Sequence, residues 1–171
     1  MLAGAVRGLV ADGWRISEFS RRASDFAAST PGVLGFDCDY RELSSFTDAL
    51  AYATALQGPP QLALAWLHDV RLPAARRLAE ALVPPGRYVQ VLGSGVCDPD
   101  RPDRLAAAEA ALADLEHVVP TQVILGFRIE GARARWNTND EIADGVLRAI
   151  RSGARRAVVG QVQPWSARPT S

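Results

Sequence analysis

The chain has 171 residues, 48% of them hydrophobic, and its 19 basic side chains balance 19 acidic ones. That length suits one domain, spanning residues 1–171, with a sizeable core, and a formal charge of zero gives no reason to expect nucleic acid or an anionic membrane as the main partner. The longest apolar run, "LALAWL", is too short to span a bilayer, no signal peptide is read, and Cys38 and Cys97 are too few for a disulfide framework. A reducing, cytoplasmic setting is the expectation. All 19 basic residues are arginine; there is no lysine.

Helix comes first. Leu2, Ala5, Val6, Leu9 and Val10 recur at helical spacing, and Asp12-Gly13 stops the run. Trp14 to Ser20 reads as a strand, ending on Arg21-Arg22. "GVLGFD", after the turn signal Pro31-Gly32, is a short strand. "DYRE" has capping-box spacing, Asp39 to Glu42, and opens a helix to about Leu56. "QLALAWL" is a continuous apolar run, as expected of a strand covered on both faces. Leu72 to Val83 is helical, with Leu72, Ala75, Ala79 and Leu82 on one face. "RYVQVLGS" is a strand, residues from about Arg104 to Leu115 a helix, and "TQVILGF" another buried strand. "RIEGARARWN" reads as irregular and basic. "TNDE", Thr138 to Glu141, is a second capping box opening a helix to about Arg151. "AVVGQV" closes as a strand, and the tail is loop.

Strands alternating with helices imply an α/β fold, a parallel sheet with helices on both faces. Ligands then sit at the carboxyl ends of the strands. Arg21 and Arg22 lie at one such end, where a dinucleotide fold reads the adenosine ribose. A guanidinium there accommodates a 2′-phosphate; the alternative is a solvated pair. Asp39 is a candidate for the adenine edge or a helix cap. His68 follows the most apolar strand and is a candidate acid or base, or only a hydrogen-bonding partner. Ser94, after Gly93, either meets a substrate carbonyl or sits in a tight turn. Arg128, Arg133 and Arg135, with Glu130, either clamp an anion or form a charged surface loop. Trp136 and Trp165 are packing anchors or ligand platforms. The two histidines and two cysteines lack metal-ligand spacing. Gly4 and Gly8 are expected to let the first helix pack closely on the sheet.

Taken together, "MLAGAVRGLVADGWRISEFSRR", "DCDYREL", "LALAWLH", "VLGS", "VILGF" and "RWNTNDEIADGVLRAI" resemble, in order and spacing, the short atypical bacterial members of the short-chain dehydrogenase/reductase superfamily. The resemblance covers nearly the whole chain. It implies a Rossmann-like α/β/α fold binding NADP, with NAD the lesser candidate, and oxidising or reducing a small carbonyl or alcohol. Its cofactor contacts would be Leu2, Ala3, Arg21, Arg22, Asp39, Trp66, Leu67 and Gly93, with Ser94 and His68 nearest the chemistry. In that family a strand and a glycine-rich turn precede the first helix. Met1-Leu2-Ala3 match the end of that turn, so the central strand is expected to lie upstream. A sheet remodelled to pair "WRISEFS" with "LALAWL" is the alternative, and a chain that binds no cofactor is a third outcome. The family's Tyr-x-x-x-Lys pair is absent: there is no lysine, and Tyr40, Tyr52 and Tyr88 all precede Ser94. That leaves open a non-catalytic dinucleotide sensor or interaction protein, with a homodimer permitted.

Overall fold

A computed structural model describes residues 1–67, 73–131 and 133–170. Helices and strands alternate: α1 (Ala3–Ala11), β1 (Ile16–Ser20), α2 (Ala23–Ala28), β2 (Val33–Asp37), α3 (Leu43–Gln57), β3 (Leu62–Ala65), α4 (Pro73–Glu80), β4 (Gly86–Gly93), α5 (Asp103–Ala110), β5 (Val118–Leu125), β6 (Phe127–Glu130), β7 (Arg133–Trp136), α6 (Asn139–Ser152) and β8 (Arg156–Val159).

The parallel strands fall into two groups. One has the order β3-β4-β5-β8 and the other is β1-β2. Period-two alternation sorts the side chains of β4 and β5 between two helix layers. Val89, Val91, Val123 and Leu125 meet α1 and α6 on one face. On the other, Tyr88 packs near α4 and Leu92 and Ile124 near α5. Both faces are therefore covered, which is why these strands read as unbroken apolar runs. The result is a Rossmann-like three-layer α/β/α fold.

The capping box at Thr138 forms as expected: its hydroxyl accepts from the Glu141 amide at 3.2 Å, and the Glu141 carboxylate accepts from the Thr138 amide at 2.8 Å. The one at Asp39 does not form. Asp39 instead accepts from the amide of Arg41 at 3.0 Å, closing a local turn, and α3 starts at Leu43 without a side-chain cap. Two elements were absent from the sequence reading. The short helix α2 lies between Arg22 and Ser29. The segment read as irregular is an antiparallel hairpin, β6-β7, turning at Gly131 with φ +61°. Gly4 and Gly8 pack against α6, not the sheet: a Cβ at Gly4 would meet the Ala143 Cβ at 2.8 Å, and one at Gly8 the Leu147 Cδ1 at 2.4 Å.

Candidate functional site

The two strand groups face each other across a slot of about 1290 Å³, lined along its length by β1 and β3. Val6 and Leu9 of α1, with Leu2 just before it, line one side, and Phe46, Leu50 and Ala53 of α3 the other. The pairing of "WRISEFS" with "LALAWL" is not made; β1 and β3 belong to separate sheets. The chain orients both edges alike. Gln57, the last residue of α3, donates from its side chain to the Ile16 carbonyl at 3.3 Å, and β3 begins soon after at Leu62. Both strands therefore start at the same end of the slot.

Each edge leaves alternate backbone groups unpaired. The Ile16 amide and the Ser20 carbonyl bond toward β2, so Ser17 and Phe19 direct their N–H and C=O groups into the slot. The Gln61 carbonyl bonds toward β4, so Leu62 and Leu64 do the same from the other side. These groups carry an energetic cost of about 1–3 kcal/mol each when dry and unmade.

Six of the residues expected to hold a cofactor line this slot: Leu2, Ala3, Arg21, Arg22, Trp66 and Leu67. They come together because β1 and β3 end at the same side, where α1 begins. The remaining candidates are placed differently. Asp39 is not in the lining, although its neighbours Cys38 and Tyr40 are. Gly93 lies beside the site, since a Cβ there would sit 3.8 Å from the Trp66 ring. His68 lies outside the described residues.

Arg21 and Arg22 are exposed, and no carboxylate among the described residues pairs with either. Asp37, at the end of β2, is engaged: it accepts from the Ser24 amide at 2.8 Å and the Ser24 hydroxyl at 2.5 Å, and these bonds hold its carboxyl below the usual range. Glu18 lines the slot with a buried, unpartnered Oε2, and loss of hydration raises its pKa. Burial likewise pushes up the Cys38 and Cys97 thiols, so neither is a ready thiolate. The Tyr88 hydroxyl is buried without a partner, and desolvation alone raises its pKa. It faces the core, not Ser94. Among the described residues no cluster of His, Cys, Asp or Glu suits a metal ion, and no helix is long and apolar enough to cross a membrane.

Ser94, at the end of β4, is 4% exposed. Its hydroxyl accepts from Nε of Arg168 at 3.0 Å. The Arg168 guanidinium lies over the Trp136 ring at 5.0 Å and the Trp165 ring at 5.1 Å. Arg168 is exposed, whereas Ser94 is buried. Sequence reasoning singled out both tryptophans and the serine but missed the arginine. Nothing in the spacing shows that a tail residue returns to a strand end.

The hairpin arginines resolve in favour of structure. Arg135 pairs with Glu130 at 2.6 Å and Glu141 at 2.8 Å, and Arg128 pairs with Glu141 at 2.7 Å. The network ties the hairpin to the start of α6 and holds Glu141 down to about 2. Arg128 and Arg135 are thus committed to carboxylates. Arg133 is exposed on β7.

No protein-family model matches the chain, and no curated protein matches it. Solved structures do. A short-chain dehydrogenase from Burkholderia cenocepacia in complex with NADP is 20% identical, with a TM-score of 0.70 over 96% of this chain and 85% of that one. A short-chain dehydrogenase/reductase of glucose/ribitol dehydrogenase type from Brucella melitensis is 12% identical, with a TM-score of 0.69 over 92% and 88%. A short-chain dehydrogenase/reductase from Serratia marcescens is 15% identical, with a TM-score of 0.60 over 93% and 89%. At these identities the likeness concerns the fold.

Proposed function

We propose that the chain is a single Rossmann-like domain that binds a nicotinamide dinucleotide, NADP in preference to NAD, and acts as an oxidoreductase of the short-chain dehydrogenase type on a small carbonyl or alcohol. The observation that carries this reading is the convergence of Arg21 and Arg22 with Leu2, Ala3, Trp66 and Leu67 at one mouth of the slot. Two exposed guanidiniums without carboxylate partners suit a 2′-phosphate, which they grip as planar, permanently charged forks. The first turn of α1 has no side-chain cap at Leu2; its free amides suit a pyrophosphate. Trp66 and Leu67 would wall the nicotinamide side, and Asp39 stands near the adenine end. When bound, the dinucleotide supplies or accepts the hydride.

The reading has a structural requirement. Helices cover the slot on both sides and unpaired backbone edges face it from the other two. The element that satisfies all four walls is an apolar strand parallel to β1 and β3, and in the doubly wound order this is the central position. We infer that such a strand leads into α1 at Met1. Dinucleotide binding by this site depends on it, because the strand's end places the turn that meets the pyrophosphate.

Titration calorimetry with NADPH and NADH tests the proposal on two chains: residues 1–171 and the same chain extended by the residues encoded in frame before Met1. The extended chain should bind NADPH. Replacing Arg21 and Arg22 by alanine should weaken NADPH by about tenfold or more while leaving NADH within a factor of about two. Equal weakening of both overturns the 2′-phosphate assignment. Silence of both chains overturns dinucleotide binding. A second reading, a sensor without turnover, is favoured by the coverage of Ser94 by Arg168 together with the missing Tyr–Lys pair. Tight NADPH binding with no oxidation in the presence of carbonyl compounds would select it.

A further inference from the structure

We propose that Arg168 is the binding residue for an oxyanion, carboxylate or phosphate, carried by a small substrate, and that Ser94 is the residue that positions it. As an assignment of substrate class this rests on the oxidoreductase reading; as an anion site it does not.

Arg168 sits on a short tail, yet the tail is built in place. Gln161 packs so closely on Gly126 that a Cβ there would lie 2.1 Å from the Gln161 carbonyl oxygen. The Asn137 amide bridges the carbonyls of Gly126 at 2.8 Å and Val159 at 2.9 Å, fixing the base of the hairpin that carries Trp136. Arg168 closes a turn on Trp165 through its own amide, at 3.0 Å. Its guanidinium then rests on both indole rings and is pinned through Nε to Ser94.

This arrangement fixes a cation without neutralising it. The Nε–H is spent on Ser94, the guanidinium carbon lies over both rings, and no carboxylate among the described residues pairs with it. The two terminal nitrogens are left as a fork of the kind that takes a carboxylate or phosphate bidentately. Holding the side chain in advance removes much of the rotamer entropy that an arginine ordinarily loses on binding. The contrast with Arg128 and Arg135 is direct, because those guanidiniums already hold Glu130 and Glu141. The fork lies at the carboxyl end of β4, where a doubly wound sheet places its ligands.

Binding is read without cofactor, from tryptophan fluorescence and from the arginine Nε–H resonances. The probes are acetoacetate, its neutral methyl ester and inorganic phosphate. Acetoacetate should give a saturable change that the ester does not, together with a shift of the Arg168 Nε–H signal. Saturation by phosphate but not acetoacetate keeps the site and assigns the anion as a phosphate. Arg168→Gln should raise the half-saturating concentration by about tenfold or more, and Arg168→Lys by less. Ser94→Ala should weaken binding and move the Arg168 Nε–H resonance while thermal unfolding stays unchanged. The proposal is overturned if the ester binds as well as the acid, if neither anion saturates, or if Arg168→Gln binds like the parent chain. Because NADPH is absent from these titrations, failure of the dinucleotide reading leaves their outcome untouched.

Discussion

The β3-β4-β5-β8 group and the β1-β2 group are built from similar sequence and reach different states. Val89, Val91 and Val123 are fully buried, with a bonded strand on either side and a helix on either face. Every residue of β1 is only half-buried, although α1 and α3 cover it. Among the described residues, β1 bonds a strand on one edge only. β1 opens onto the slot, and Ile16 and Phe19 stay partly exposed there.

Hydrogen exchange gives the largest expected contrast. Amides of β4, bonded inside the sheet, should exchange only through global opening. The slot-facing amides of Ser17, Phe19, Leu62 and Leu64 should exchange at least about a thousandfold faster, while Glu18 and Ala63, bonded to β2 and β4, should be slower than their neighbours. The expected signature is an alternation along each edge. Uniform protection of β1 equal to that of β4 would mean that the slot is already closed in solution. If the proposed strand fills the slot in the extended chain, it bonds both edges and the alternation should vanish.

A smaller effect tests how α1, which lies over the slot, is fastened to the well-packed half. Gly4 and Gly8 are both opposed to α6, but by different atoms. A Cβ at Gly4 meets another Cβ, which cannot retreat without its backbone; one at Gly8 meets the far end of the Leu147 side chain, which can turn aside. Alanine in place of glycine gains about 1 kcal/mol of helix propensity at either position, against an overpacking cost of about 1–3 kcal/mol where the neighbour cannot yield. Gly4→Ala should therefore lower the melting temperature and Gly8→Ala leave it nearly unchanged. The reverse order in a melting experiment would reject helix–helix contact as the anchor.

The same contrast explains what could be read in advance. Elements with a periodic apolar face, a cap or a breaker were legible: "TNDE" closes its box, and "LALA" of the run "LALAWL" is a strand. Arg21, Arg22, Trp66 and Leu67 were singled out because strand ends are positions in a topology, and all four line the slot. The hairpin was missed because its alternation, Phe127 and Ile129 against Arg128 and Glu130, was masked by arginines that pair with Glu130 across the hairpin and with Glu141 of α6. Asp39 failed as a cap because its side chain found the nearer amide of Arg41. Arg168 was invisible because its role depends on contact with a residue 74 positions away, and no local pattern encodes such a return.

The smallest effect concerns the one acidic side chain on the slot wall of β1. Desolvation is the main cause of the raised pKa of Glu18, with the nearby charge of Asp37 adding to it and a bond from Ser20 opposing it. A carboxyl with a raised pKa in the fold is protonated in both states below its ordinary value of 4.5, where it costs nothing. As pH rises through the raised value the folded state must carry a poorly hydrated charge that the unfolded chain solvates freely, and stability falls. Glu18→Gln removes that charge. It should raise the melting temperature at pH 7 and leave it unchanged below about pH 4. An equal gain at both pH values would show that shape, not charge, is what the substitution relieves. Filling the slot would desolvate Glu18 further, so the gain at pH 7 should be larger in the extended chain than in residues 1–171.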